Sequence, residues 1–390
     1  MVDVKDDGSL WMDMSFFNYC QGLTMTSRKF HTLFGGPPRA PEAPITQREM
    51  DIARSIQAVT EDAMLKAAVH VHRQTKSRHL CLAGGVALNC AGNGRPLREG
   101  PFDAIWTQPA AGDAGAALGA ALYVWHQLLK RPRPAPAGDA MQGARLGPAY
   151  SDDAVVRVLN GVSAHYTRYS DDRLLCERVA ELIAKGLVVG WFHHRMEFGP
   201  RALGSRSIIG DARSPTLQAT MNLKVKFRES FRPFAPAVLQ EHVSDYFDLD
   251  AGTESPYMLL VAPVREDRRM PDMNDAASGF HRLRVVRSEI PAVTHVDYSS
   301  RVQTIDRERD PRFHELIQAF TRLTGCPVVI NTSFNVRGEP PVCTPGDAYR
   351  CFMATHMDVL VLERTVLLKV DQLAEQGADR QAYLSAFPLD

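Results

Sequence analysis

HLCLAGGVALN (His79–Asn89) decides the fold class. Five apolar-leaning residues run into paired glycines and then into a helical pattern, which is how a strand feeds a helix in α/β proteins. The same grammar repeats at Ala104–Thr107, a short strand leading into PAAGDAG (Pro109–Gly115) and a small-residue helical stretch over 116–129. Upstream, Thr46 followed by Glu49 forms a capping box that opens a helix, and Met50, Ala53, Ile56, Val59, Ala63 and Ala67 continue it at helical spacing.

Further along, 172–185 reads as a helix closed by Gly186, followed by a strand at 187–192. A basic, Gly-punctuated region then extends to Arg232. Strands are expected at 258–264 and 328–331, a helix at 345–356, and a closing hairpin from 359–363 and 366–370. The whole is mixed α/β, and at 390 residues two domains are expected. The seam is KRPRPAPAGDA (Lys130–Ala140), where prolines forbid both a central strand and a continuing helix.

Lys+Arg and Asp+Glu are equal at 45 each, so no global field recruits nucleic acid or an anionic membrane, and any anion site must be local. The seven scattered cysteines show no CxxC spacing and read as reduced thiols. The polar start MVDVKDDGSLWMDM lacks a signal-peptide core, and no apolar run reaches membrane-spanning length. These features predict a soluble, cytoplasmic protein. The thirteen histidines include His70/His72 and His193/His194, with no pair at helical metal-ligand spacing.

Four segments could carry chemistry. Gly84-Gly85 through Asn89 lets backbone N–H groups approach an anion, or is simply a tight turn. In Gly112-Asp113-Ala114-Gly115 the Asp can cap a helix, bind a ribose or ligate a cation. The region from Glu197 to Arg232 concentrates Arg201, Arg206, Lys226, Arg228 and Arg232. If 224–228 is extended, Lys224, Lys226 and Arg228 share one face, either as a solvated edge or, with Phe227, Phe231 and Phe234 between them, as an anion pocket. VVINTSFN (Val328–Asn335) ends an apolar strand in Asn331, Ser333 and Asn335, suited to phosphate or carbonyl groups but also to a plain polar turn. His295–Gln303 alternates polar residues, as a strand lining a polar cleft would.

Five long segments occur together and in order: CLAGGVALNCAGNGR, PAAGDAGAALGAALY, EFGPRALGSRSIIGDAR, KFRESFRPFAPAVL and PVVINTSFNVRGEPPVCTP. In these the chain resembles the O-carbamoyltransferases of nodulation-factor and antibiotic biosynthesis (NodU/CmcH type), from about Met14 to about Lys369. The resemblance implies a partial actin/Hsp70/sugar-kinase-like lobe over 1–130, a Pro-rich linker over 131–145, a YrdC-like twisted α/β domain over 146–374, and a tail over 375–390. It implies that ATP and carbamoyl phosphate form carbamoyl adenylate in the YrdC-like domain. The carbamoyl group then passes to a hydroxyl of a small sugar- or antibiotic-like acceptor at an iron(II) site in the first domain.

Residue by residue, the resemblance assigns Gly84, Gly85, Asn89 and Gly112 to adenylate binding and Asp113 to the metal. Lys226, Arg228, Arg232, Arg201 and Arg206 fall to the anion pocket, and Asn331, Ser333 and Asn335 to its nucleotide side. It also implies that the first half of the kinase-like domain, with its histidine metal ligands, is missing from this sequence, through a truncated gene model, separate encoding or real loss; a homodimer is a further possibility. The alternatives left open are a non-catalytic nucleotide-binding remnant and a threonylcarbamoyl adenylate synthase of tRNA modification.

Overall fold

A computed structural model describes residues 1–134, 138–270, 282–283, 285–372 and 377–387. Residues 135–137 of the Pro-rich stretch and 375–376 and 388–390 of the expected tail lie outside the described residues. The chain divides into two compact units, Met1–Gln108 and Pro109–Asp390, and each is described by itself.

In the first unit, β1 (Val2–Val4) pairs antiparallel with β2 (Leu10–Met12), and α1 (Arg28–Leu33) leads to the long α2 (Gln47–Thr75). The Thr46 N–H donates to the Glu49 carboxylate at 2.9 Å, so the capping box that opens α2 is formed as expected. β3 (His79–Leu82), α3 (Cys90–Glu99) and β4 (Ala104–Thr107) complete the unit, with β3 and β4 parallel. Ala68 of α2, Leu80 of β3 and Phe102 form its small apolar centre.

The second unit opens with α4 (Asp113–Tyr123), α5 (Asp152–Gly161), β5 (Thr167–Arg168), α6 (Asp172–Ala184), β6 (Val189–Phe192) and β7 (Arg206–Asp211). It continues through α7 (Leu217–Lys224), β8 (Ala235–Leu239), α8 (Val243–Tyr246), β9 (Leu260–Pro263), β10 (Ser299–Ile305) and α9 (Pro311–Thr324). It closes with β11 (Val328–Ser333), α10 (Pro345–Ala354), β12 (Val359–Leu362), β13 (Thr365–Leu368) and α11 (Gly377–Ser385). Nine strands form one sheet in the order β5-β13-β12-β6-β7-β11-β8-β10-β9. Among the described strands of this sheet only the β12–β6 and β8–β10 joins are parallel. The mixed α/β class expected from the sequence is the class observed.

The central strands β6, β7 and β8 are buried along their whole length. Both faces of this part of the sheet are covered, which favours unbroken apolar runs over alternation. β7 went unread in the sequence because RSIIGD starts and ends in charge, yet Arg206 is fully buried and Asp211 nearly so. The expected hairpin at 359–370 forms, turning through Glu363 in the left-handed region at φ 51°. No described helix is long and apolar enough to cross a membrane.

The strand directions gather particular ends. β11 runs antiparallel to both β7 and β8, and β8 parallel to β10. The C-terminal end of β11 therefore sits beside the N-terminal ends of β7, β8 and β10. Phe334, just past β11, fills the space over Gly190 of β6: a Cβ there would come within 2.7 Å of the Phe334 ring. Overpacking of this kind costs about 1–3 kcal/mol. Gly190→Ala should lower the urea midpoint of unfolding accordingly, and an unchanged midpoint would show that the ring is not fixed.

Candidate active site

The basic segment folds back on itself. After α7, the N–H groups of Val225 and Lys226 both donate to Met221 O, at 3.1 and 2.9 Å, and Arg228 N–H donates to Asn222 O at 3.0 Å. Phe227 takes φ 49° in the left-handed region. The extended 224–228 strand expected from the sequence does not form. Lys224 ends a helix and is exposed, while Lys226 is buried and Arg228 half-buried. Helical capping bonds win over period-two spacing here, because Met221 and Asn222 offer carbonyls that an extended chain would leave unsatisfied.

Lys226 points at the end of β11. Its Nζ donates to Ser333 O and Asn335 O, each at 2.8 Å, to Ser333 Oγ at 3.2 Å and to Asn335 Oδ1 at 2.5 Å. Ser333 Oγ donates to Asn335 Oδ1 at 2.7 Å. The structure thus brings together Lys226, Ser333 and Asn335, which lie about a hundred residues apart in sequence. Burial, then the neighbouring Arg228, push the Lys226 ammonium down to about 7.

Arg228 is anchored by Nε donating to Asn222 Oδ1 at 2.7 Å, with its guanidinium 5.2 Å from the Phe234 ring centroid. Burial pushes it down to about 10, and Arg232 and then Arg301 add to the depression. Those guanidiniums are therefore near enough to repel one another. Arg232 and Arg337 both approach Glu229, at 3.0 and 4.0 Å. Positive charge dominates this corner of the second unit, the condition under which a phosphate-bearing ligand relieves repulsion.

Other residues act as bolts. One oxygen of the buried Glu197 accepts the N–H groups of Leu203, Ser205 and Arg206 at 2.7, 2.8 and 3.2 Å, shaping the loop that carries Arg201. Asn331 Nδ2 donates to Ala202 O at 3.2 Å and to Gln303 Oε1 at 2.6 Å, while Gln303 Nε2 donates to Leu203 O at 2.8 Å. These bonds tie the loop to β11 and β10. Arg206 commits its guanidinium to the carbonyls of His193, His194, Ser205 and Pro148 at 3.0–3.3 Å, and stacks on Phe192 with 3.6 Å to the centroid. In this arrangement the Nη1 and Nη2 groups of Arg206 hold backbone.

Asn222, Glu197, Gln303 and Arg301 were not singled out from the sequence as site residues. Arg301 and Gln303 fall in the alternating polar stretch noted there, but β10 begins only at Ser299 and His295 precedes it. Asn222 carries no sequence signal beyond its place two residues before the basic run.

Gly84, Gly85 and Asn89 belong to the first unit. Gly84 has φ 96°, and the space where a Cβ would stand is open at both glycines, so the backbone there is accessible. Asn89 caps α3, its Oδ1 accepting Gly92 N–H at 3.0 Å, and it exchanges hydrogen bonds with Gln57. Gly112 precedes α4 and Asp113 is exposed in its first turn. Among the described residues no three His, Cys, Asp or Glu side chains converge as a metal site, so these residues do not fit the iron that the resemblance implies.

A separate cleft of about 1020 Å³ lies where β8 and β10 end, lined by Asp139, Glu241, Glu254, Asp306 and Arg309 among others. Arg309 is already paired with Asp306 at 2.8 Å and with Glu254 at 2.5 Å. This cleft lies at the opposite ends of those strands from Lys226, and its lining mixes carboxylates with Arg145, Arg307, Arg309, His194 and His314.

Residues 1–122 match the family model described as carbamoyltransferase N-terminus, and residues 180–369 match carbamoyltransferase C-terminus. The chain belongs to the carbamoyltransferase family. An uncharacterized protein of Synechocystis sp. is 55% identical over 100% of this chain and 63% of its own length. Nodulation protein NolO of Bradyrhizobium diazoefficiens is 41% identical over 82% and 54%, and Nodulation protein U of Rhizobium tropici 33% over 70% and 41%. This carbamoyltransferase chain thus spans between about two fifths and just under two thirds of these relatives. A solved structure of full-length HypF in its phosphate- and nucleotide-bound form overlaps 54% of this chain and 23% of its own, with TM-score 0.32 and 16% identity. That likeness is too loose to carry an argument. Lys226, Arg228, Ser333 and Asn335 all fall within the C-terminal match.

Removing the Glu197 carboxylate leaves three N–H groups without their acceptor, at about 1–3 kcal/mol for each left unsatisfied. Glu197→Ala should therefore lower the thermal midpoint by several degrees or prevent folding, and a wild-type midpoint would show that the loop is held by other means.

Proposed function

We propose that this chain carries the activation step of an O-carbamoyltransferase: it binds ATP and carbamoyl phosphate at the Lys226/Arg228/Arg232 corner and forms carbamoyl adenylate. The observation that carries this reading is the meeting of Lys226 with Ser333 and Asn335 at the end of β11, with the Arg228 guanidinium near enough to disfavour the ammonium. Residues 146–374 would form the YrdC-like activation domain, and Gly84, Gly85, Asn89, Gly112 and Asp113 would act in later handling of the adenylate. The hydroxyl acceptor is proposed as a small molecule, in keeping with relatives named as nodulation proteins.

The chemistry needs cations. Carbamoyl phosphate gives up its phosphoryl group to water, leaving carbamate and inorganic phosphate. A carbamate oxygen then attacks the α-phosphorus of ATP, and the bond to the β-phosphate oxygen breaks to release pyrophosphate. Negative charge builds on the non-bridging oxygens and on the leaving group, where fixed guanidinium and ammonium donors stabilise it more than they stabilise the substrates. Lys226 would sit at the inner end of the pocket, with Arg228 and Arg232 toward its mouth.

The purified chain should release pyrophosphate in a carbamoyl-phosphate-dependent way, and Arg228→Ala should slow this by about a hundredfold, the scale of one lost charge-stabilising donor. No phosphate or pyrophosphate release, together with no nucleotide binding by calorimetry, would overturn the reading. Release with threonine and bicarbonate but not with carbamoyl phosphate would instead indicate a threonylcarbamoyl adenylate synthase.

A pH signature follows from Lys226. Its protonated form is disfavoured in the free protein, with titration near 7, and a bound anion favours that form. Binding at pH 8 should therefore take up protons, whereas at pH 6, where Lys226 is already charged, it should take up fewer. Calorimetry in buffers of different ionisation enthalpy measures this, and equal uptake at both pH values would contradict it. On stability the sign is the reverse of a salt-bridged lysine: between about 7 and the ordinary lysine value the unfolded chain holds the extra proton, so stability rises with pH across that window.

A further inference from the structure

The C-terminal helix α11 lies past residue 369, where the family match ends. It returns to both arms of the anion site. Tyr383 Oη donates to the Glu339 carboxylate, and the other Glu339 oxygen accepts the Val336 N–H at 2.8 Å. Glu339 O accepts from Asn335 Nδ2 at 2.5 Å, and Asn335 O accepts from Lys226 Nζ at 2.8 Å. A continuous run of hydrogen bonds thus leads from a phenol on α11 to the buried ammonium. On the other arm, the Arg380 guanidinium stands 5.8 Å from the ring centroid of Phe227, the residue between Lys226 and Arg228.

The placement of Tyr383 is built rather than incidental. Tyr383, Leu384 and Phe387 pack against the main apolar core, and the Tyr383 and Phe387 rings meet edge to face at 5.3 Å. Glu339 is buried, so each of its carboxylate oxygens needs a donor, and Tyr383 and the Val336 N–H supply one each. The loop over 333–339 contributes both polar side chains that face Lys226, and its shape is set from outside by the phenol.

We propose that Tyr383 is a positioning residue: through Glu339 it fixes the arm that carries Ser333 and Asn335, so that anion affinity at this site depends on α11. The affinity part rests on the functional reading above, whereas the fixing of the arm does not. Tyr383→Phe removes the hydroxyl and keeps the ring, so the core packing stays. Hydrogen–deuterium exchange should then quicken about tenfold over 334–340, the scale of one charge-assisted hydrogen bond, with 328–332 of β11 unchanged. Affinity for ATP and for carbamoyl phosphate should each weaken several-fold by calorimetry. Unchanged exchange over 334–340 would overturn the proposal, as would an equal rise along the whole chain, which marks general loosening. If the wild type binds neither ligand, the functional reading fails and the exchange comparison still decides whether Tyr383 fixes the arm.

Discussion

A lysine ammonium buried at the end of a covered sheet has to be solvated by the protein itself, and the second unit is arranged around doing so. Nζ of Lys226 reaches two backbone carbonyls, a hydroxyl and a side-chain amide oxygen, all from the three residues that follow Thr332. Those neutral acceptors hold the proton without cancelling the charge. With Arg228 close by, the uncancelled charge is raised in energy, a cost that a bound anion would relieve. The left-handed turn at Phe227 follows from the same need, since it lets Lys226 point inward while Arg228 turns toward Asn222.

The residues that hold this corner in shape are mostly not the ones that would do chemistry in it. Glu197 gathers three N–H groups on one oxygen, Asn331 and Gln303 fasten the loop to two strands, and Asn222 holds Arg228. Arg206 belongs with them, although its charge suggests otherwise, because its Nη1 and Nη2 donors end on carbonyls. Rigid supports of this kind let a cationic pocket keep its geometry when empty, which preorganised electrostatic stabilisation requires.

The sequence was most readable where local physics decides the outcome. The α2 cap, the β3 and β4 strands, the helix before Gly186 and the closing hairpin all lie within a few residues of where periodicity and turn residues put them. It was least readable around 197–232. There a strand begins with a buried arginine, and a helix stops one residue before a tight reversal that period-two spacing does not foresee. The pairing of Lys226 with Ser333 and Asn335 depends on β11 lying between β7 and β8, a sheet-order fact that no single segment encodes. The resemblance supplied the candidate residues of the proposed pocket, and the fold supplied the supports that no motif marks.

Where the phosphates bind is decisive. A crystal structure of the whole chain with carbamoyl phosphate and a non-hydrolysable ATP analogue tests this most directly. Phosphate density touching Lys226 and Arg228, with Ser333 and Asn335 lining the same pocket, is the result expected. Phosphates bound in the cleft at the other ends of β8 and β10, or no ordered ligand at millimolar concentration, would contradict it.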